Sequence, residues 1–217
     1  MKKILFILLF VLAATCVFSK DLLNYRLTET VEDSEKYNFS IQYPFFDTNK
    51  ELGIFANKQL EENCKQVKEF MEKWEEAATV QKTKEYIKID CMVSRCDVDV
   101  ISGYFKIIYT VDNDINTYYE TFNMGIINGK PKNLELKDCY SKSIDVLWKG
   151  AYGELKNNPK AKYIADGEIT MDIEPDGFRE KFVITKNYIT FIFNPGVLAP
   201  EENGEFMYKI KYTFFPD

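Results

Sequence analysis

The sequence has 217 residues, with 34 acidic and 28 basic side chains, a formal charge of −6 and no histidine. An acidic chain lacks the positive surface that phosphate backbones and anionic lipids need, so neither nucleic acid nor a membrane surface is expected as a partner. Without histidine, Ser-His-Asp and Cys-His catalytic arrangements and histidine-bearing zinc centres are excluded.

The amino terminus has the features of a cleavable export signal. Lys2 and Lys3 form a positive start, and residues 4–14 are an unbroken apolar run that is too short to cross a bilayer. Val17 and Ser19 occupy the −3 and −1 positions of a cleavage site between Ser19 and Lys20, where signal peptides carry small residues. Residues 1–19 are therefore predicted to be a signal peptide, and the chain is expected to be periplasmic or secreted. Without Lys2 and Lys3, 26 basic and 34 acidic residues remain, a charge of −8, and no later stretch predicts a transmembrane helix.

A second interpretation of the same segment makes Cys16 a lipidated amino terminus. Residues 13–16, Ala-Ala-Thr-Cys, resemble a lipobox, although Ala and Thr at its −3 and −1 positions depart from the usual pattern. The cut after Ser19 fits better, but lipid anchoring through Cys16 stays open. Neither interpretation leaves the signal in the mature fold.

The first half of the mature chain predicts one strand and one long helix. Residues 20–36 are polar and are interpreted as a flexible lead-in. Residues 37–43 alternate apolar and polar side chains, as a half-buried strand does. Apolar residues then recur every three or four positions over 52–78, which predicts a long amphipathic helix.

The second half is dominated by period-two patterns. Strands are predicted over 86–93, 104–111 and 115–127, with a type I′ turn at Asn128-Gly129 and a short strand over 133–136. A shorter helix follows from Ser141 or Ser143 to about Lys156. Three closing strands are predicted at 181–185, 188–193 and 206–214. The expected fold is α+β: a single domain over 37–217, with one antiparallel sheet packed by one long and one shorter helix.

Four cysteines remain after signal cleavage: Cys64, Cys91, Cys96 and Cys139. An even number in an oxidising compartment predicts two disulfides, with three possible connectivities. Cys91 and Cys96 would face opposite sides of a continuous strand, so they can pair only if residues 92–95 turn. Free thiols are the alternative.

The search for catalytic and metal-binding motifs is negative. Nucleophile-elbow, Walker and dinucleotide-binding patterns are absent from the sequence. Residues 112–116, Asp-Asn-Asp-Ile-Asn, have oxygen donors at the first three alternating positions of a calcium loop. Thr117 stands where that loop needs glycine and Asn123 where it needs glutamate, so we expect neither a metal nor a cofactor. We expect no enzyme, with a carboxylate-based cell-wall hydrolase as the remaining enzymatic alternative.

Short motifs along the chain resemble a bacterial family of domains of unknown function. That family occurs in the extracellular part of a lysozyme-sensing anti-sigma factor and in the non-catalytic part of a peptidoglycan deacetylase. The similar segments are the strand and proline at 37–44, Tyr-Tyr-Glu-Thr-Phe-Asn at 118–123, Asn-Gly-Lys at 128–130, Leu-Glu-Leu-Lys-Asp at 134–138, and 182–193 with 197–200 and Gly204.

The resemblance covers roughly residues 37–214 and implies a fold and an envelope setting. The sequence departs from the family at Cys91, Cys96 and Cys139. It also has Glu201-Glu202-Asn203 where the family more often has an aromatic residue. No transmembrane, sigma-binding or deacetylase segment accompanies the match, so the signalling and hydrolytic roles do not transfer.

The expected function is therefore an exported, non-catalytic envelope domain that binds a basic protein such as lysozyme. The charge of −8 and the resemblance both suggest this partner, and Pro200, Glu201, Glu202 and Asn203 in the loop 194–204 are the predicted contact residues. The alternative is a peptidoglycan- or glycan-binding module that uses exposed aromatic side chains. Its candidate residues are Tyr118, Tyr119 and Phe122, or Tyr208 and Tyr212.

Overall fold

The computed structural model describes residues 22–35, 37–77, 84–111, 114–140 and 143–211, without the side chains of 70–77 and 111. Within these ranges, nine strands form two sheets. The strands are β1 Tyr25–Asp33, β2 Tyr37–Phe46, β3 Glu85–Cys96, β4 Val100–Val111, β5 Asp114–Ile127, β6 Lys130–Asn133, β7 Phe182–Ile184, β8 Tyr188–Phe193 and β9 Phe206–Lys211. The helices are α1 Glu51–Ala77, α2 Leu136–Cys139, α3 Ile144–Leu155 and α4 Lys162–Ala165. The signal peptide and Cys16 lie outside the described residues.

The larger sheet has the strand order β1-β2-β3-β4-β5-β6. In this sheet β2 and β3 are parallel, and every other pair of neighbouring strands is antiparallel. The prediction of one antiparallel sheet is therefore only partly matched, because there are two sheets and one strand pair is parallel. Parallel neighbours need a long crossover connection, and the 27-residue helix α1, roughly 40 Å long, supplies it between β2 and β3. The second sheet, β7-β8-β9, is separate and antiparallel.

The segment interpreted as a flexible lead-in contains strand β1. Tyr25–Asp33 pairs over its full length with residues 38–46 of β2. Its residues read as polar because β1 is an edge strand, and its side chains are exposed or half-buried. An edge strand needs no alternating apolar face of its own when the neighbouring strand supplies the core residues.

The short strand expected at 133–136 lies three residues earlier. Asn128 and Gly129 adopt φ values of 52° and 73°, the positive values of the predicted turn, and β6 begins at Lys130 directly after it. Leu136, expected to end a strand, instead begins α2 and is buried. The tight turn sets the register, so β6 pairs at once with the end of β5.

The two larger helices pack on different sheets. α1 places Leu52, Ala56 and Leu60 against the six-stranded sheet. α3 places Leu147, Trp148, Ala151 and Leu155 in a separate apolar cluster with the three-stranded sheet. A further small cluster of Tyr119, Val183 and Ile192 lies where the two sheets meet.

The result is a single domain of mixed α/β content with a curled larger sheet and a few helices. None of the helices within the described ranges is long and apolar enough to cross a membrane.

Candidate functional site

An open cleft of about 400 Å³ lies where the β4–β5 hairpin faces the loop that follows β8. One wall consists of Lys106 and Tyr109 of β4 and residues 115–118 of β5. The opposite wall belongs to the loop 194–205 and includes Glu201 and Glu205. The volume falls within the usual range of small-ligand cavities.

Lys181 lies at the base of this cleft with its side chain only 10% exposed. Its ammonium donates hydrogen bonds to the Tyr119 carbonyl at 3.1 Å, to Glu120 Oε1 at 2.9 Å and to the Tyr118 hydroxyl. Burial lowers the pKa of Lys181, but the bonds to Tyr118 and Glu120 outweigh burial, so its pKa is raised overall. Lys181 is therefore a fixed cation rather than a nucleophile.

Asn194 holds the two walls together through the backbone of Tyr119. The Tyr119 N–H donates to Asn194 Oδ1 at 2.6 Å, and Asn194 Nδ2 is 3.5 Å from the Tyr119 carbonyl oxygen. Asn194 is buried and immediately follows β8. Its amide thus takes the place that a neighbouring strand would occupy beside β5.

The phenol of Tyr119 is held in its neutral form. Burial, followed by the charge of Glu205 and a hydrogen bond to that carboxylate, raises the pKa of Tyr119 above its usual value. The Lys106 Nζ lies 5.9 Å from the centre of the Tyr119 ring. The Tyr104 ring packs against the Tyr119 ring, with 6.0 Å between the two ring centres. The neutral phenol therefore anchors Glu205 at the rim of the cleft.

The structure brings only part of the predicted contact loop to this cleft. Residues 201–203 form an exposed 3₁₀ helix shortly after the buried residues Leu198 and Ala199. Glu201 lines the cleft, while Glu202 and Asn203 are exposed beside it and Pro200 is half-buried.

Of the aromatic candidates, only Tyr118 is exposed beside the cleft, at 38%. Tyr119 and Phe122 are buried in the protein interior. Tyr208 is half-buried and donates its hydroxyl to Glu154 at 2.8 Å. Tyr212 lies outside the described residues.

Cys64, Cys91 and Cys139 are free thiols in the structure, so none of the predicted disulfides forms among these three. Burial raises the pKa of Cys64 and of Cys139 to about 12, and it raises the pKa of Cys91 further. Thiols that resist ionisation are poor nucleophiles and poor metal ligands. Cys96 donates its S–H to the Leu23 carbonyl at 3.1 Å.

Across the described residues, acidic and cysteine side chains do not assemble into a group of three or more that could hold a metal ion.

Sequence reasoning missed Lys181, Asn194 and Glu205. Lys181 precedes a buried strand and looks like an ordinary solvated lysine. Asn194 looks like a simple turn residue after β8, and Glu205 looks like one more acid in an acidic chain. Their roles depend on which backbone and side-chain atoms face them across the cleft, and local sequence carries no signal for that.

The sequence and the fold were compared with known proteins. Residues 132–213 match the model of the family described as "Protein of unknown function (DUF3298)". The search of curated proteins found no match.

Two solved structures share the fold. A DUF3298 family member from Bacteroides fragilis has a TM-score of 0.59 and 18% identity, covering 88% of this chain and 90% of its own. A DUF3298 family protein from Pseudomonas aeruginosa has a TM-score of 0.59 and 12% identity, covering 89% and 92%. At these identities the likeness concerns the fold alone.

The matched segment contains Lys181 and the loop wall of the cleft, whereas the β5 wall precedes it. The cleft therefore lies at the junction between the family segment and the larger sheet. Residues 132–213 of this chain are therefore similar to DUF3298 domains, a family whose function is unknown.

Proposed function

We propose that this chain is an exported, non-catalytic envelope module that binds a basic protein, with lysozyme as the model ligand. The observation that carries the proposal is the acidic mouth of the cleft. Glu201, Glu202 and Glu205 are exposed within five residues of one another, and Glu201 and Glu205 line the cavity itself. The charge of −8 after signal cleavage and the resemblance to the extracellular domain of a lysozyme-sensing anti-sigma factor support the same partner.

The charges of the cleft favour a cationic ligand. Its lining contains the carboxylates of Asp176, Glu201 and Glu205 and the ammonium groups of Lys106 and Lys181. Lys181 is already engaged by Glu120 and two other acceptors, so it offers little to a ligand. Acidic groups at an exposed rim mainly accelerate association and make it sensitive to salt.

The test is calorimetric titration of the mature chain, Lys20 to Asp217, with lysozyme at low and moderate salt. We expect micromolar or tighter binding that weakens steeply as salt rises. The double variant Glu201→Gln/Glu202→Gln should bind about tenfold more weakly, since two exposed ion pairs contribute up to ~1 kcal/mol each.

The matched control is Glu61→Gln/Glu62→Gln, which removes an adjacent pair of exposed acids on α1. It changes the net charge by the same amount, but Glu61 and Glu62 do not line the cleft. We therefore expect its affinity for lysozyme to stay close to that of the unmodified chain. Binding that is absent at both salt concentrations would reject a basic protein ligand.

A glycan ligand is the second candidate, favoured by the exposed ring of Tyr118 beside Asn116 in the same cleft. Aromatic faces with nearby amides suit a sugar ring. We expect retention on insoluble cell wall to be lost in Tyr118→Ala and kept in Tyr118→Phe. Turnover of the wall material would instead indicate the carboxylate-based hydrolase.

A further inference from the structure

The outer half of β5 is a free sheet edge. β5 pairs with β4 from Asp114 to Gly125, but with β6 only at residues 124–127. Among the described residues, strand pairing leaves the opposite side of 114–123 without a neighbouring strand. Exposed backbone along a sheet edge is a template for another extended chain.

Two hydrogen bonds show which backbone groups face this edge. The Tyr119 N–H donates away from β4 to Asn194, and the Asn123 carbonyl accepts from Leu134 N–H at 2.8 Å on the same side. In an antiparallel pair, alternate residues present their N–H and C=O groups in the same direction. Ile115 and Thr117 therefore direct their backbone groups outward.

These outward backbone groups belong to residues that line the cleft. Ile115 and Thr117 both line it, and Ile115 is 74% exposed. In the part of the chain that the structure describes, hydrogen bonds from other elements reach β5 at residues 118–121, 123 and 126, not at Ile115 or Thr117. Asn194 thus occupies the edge of β5 at Tyr119. The part of the edge that stays free runs from there toward the start of β5 and includes Thr117 and Ile115.

We propose that an extended, lysine-rich segment of a protein partner binds in the cleft as an added strand on the β5 edge at Ile115 and Thr117. The main chain of the segment would bond to these two residues, and its lysines would face Glu201 and Glu205 on the opposite wall. Strand addition takes affinity from main-chain bonds and specificity from alternate side chains. The inference rests on the proposed function, because it states how a basic protein would be recognised.

The probe is a capped heptapeptide of alternating lysine and threonine, compared with its glutamate counterpart, titrated into the mature chain. Hydrogen exchange of individual amides is followed by NMR. In the free chain the Ile115 and Thr117 amides should exchange rapidly, and saturating lysine peptide should slow both at least tenfold. The glutamate peptide should leave both unchanged.

The decisive variant is Thr117→Pro. It removes the outward N–H but keeps the bonds to β4, because the amide of residue 117 faces away from that strand. We expect at least a tenfold loss of peptide affinity. The matched variant Thr117→Val keeps the backbone donor and the side-chain shape, so it should bind as the unmodified chain does. Circular dichroism of both variants establishes that they are folded.

Three results would overturn the strand-addition site: slow exchange of Ile115 and Thr117 in the free chain, no binding of the lysine peptide, or full binding by folded Thr117→Pro. If Thr117→Pro still bound lysozyme with the affinity of the unmodified chain, the proposed function would stand and the edge site would fall. If lysozyme failed to bind while the lysine peptide protected both amides, the edge site would stand and the lysozyme proposal would fall.

Discussion

Two buried side chains, Ser102 and Asn123, link the two sheets through a chain of hydrogen bonds. The Ile184 N–H donates to Ser102 Oγ, the Ser102 hydroxyl donates to Asn123 Oδ1, and Asn123 Nδ2 donates to the Phe182 carbonyl, each at 2.7 Å. Side chains of β4 and β5 thereby bond the backbone of β7. Buried polar groups satisfied in this way fix the relative position of the elements that carry them.

Removing one hydroxyl from this chain should destabilise the whole domain. Ser102→Ala leaves the Ile184 N–H and one acceptor of Asn123 buried without partners, so we expect a loss of about 1–3 kcal/mol in the free energy of unfolding. Urea denaturation followed by circular dichroism measures it. Ser143→Ala is the control, since exposed Ser143 precedes α3 without a side-chain capping bond, and it should change stability by only a few tenths of a kcal/mol. Equal effects of the two substitutions would contradict the role assigned to Ser102.

At the scale of single elements, glycine has opposite consequences in the β5–β6 turn and in α3. Gly129 adopts a φ of 73° in the two-residue turn, which L-residues with a Cβ rarely adopt. Gly153 lies in α3 in open space, where its flexibility only weakens the helix. The local backbone, rather than contact with neighbours, decides the effect at both positions.

Alanine at these two positions should therefore shift stability in opposite directions. Gly129→Ala is expected to cost about 1 kcal/mol because its left-handed backbone becomes strained. Gly153→Ala is expected to gain about 0.5–1 kcal/mol from improved helix propensity. Thermal unfolding of the two variants beside the unmodified chain tests both. A destabilised Gly153→Ala would show that α3 tolerates no added methyl group there.

At the scale of the whole molecule, strand register decides which cysteines can meet. β3 is continuous from Cys91 to Cys96, but its register shifts between Val93 and Arg95, and both cysteines face the cluster beneath α1. Their partners on β4 are Phe105 and Ile101, four residues apart, or about 13 Å along the strand. A disulfide spans at most about 7 Å between Cα atoms, so the intact sheet excludes the Cys91–Cys96 pairing.

Peptide mapping under non-reducing conditions checks this exclusion. After mild oxidation of the folded mature chain, we expect no peptide that links Cys91 to Cys96. Oxidation of the same chain unfolded in urea is the control, because the five-residue spacing then permits the link. A Cys91–Cys96 link formed in the folded chain would mean that β3 is interrupted between these residues.

The sequence by itself determined the elements whose signals are local. The stripe over 52–78 corresponds to α1, the alternation over 115–127 to β5, and Asn128-Gly129 to the turn. Helix period, strand period and positive φ are properties of neighbouring residues, so one chain segment suffices to reveal them. The same holds for Glu201, whose exposure in an acidic loop follows from its immediate surroundings.

Only the tertiary structure decided which distant segments meet. It placed β2 parallel to β3, divided the core between two sheets, and made the polar segment Tyr25–Asp33 an edge strand. It also brought Lys181 and Asn194 to the backbone of Tyr119, more than 60 residues earlier in the chain. Long-range pairing depends on the packing of whole faces against each other, and many pairings are compatible with the same local patterns. The cleft exists only after that packing has formed.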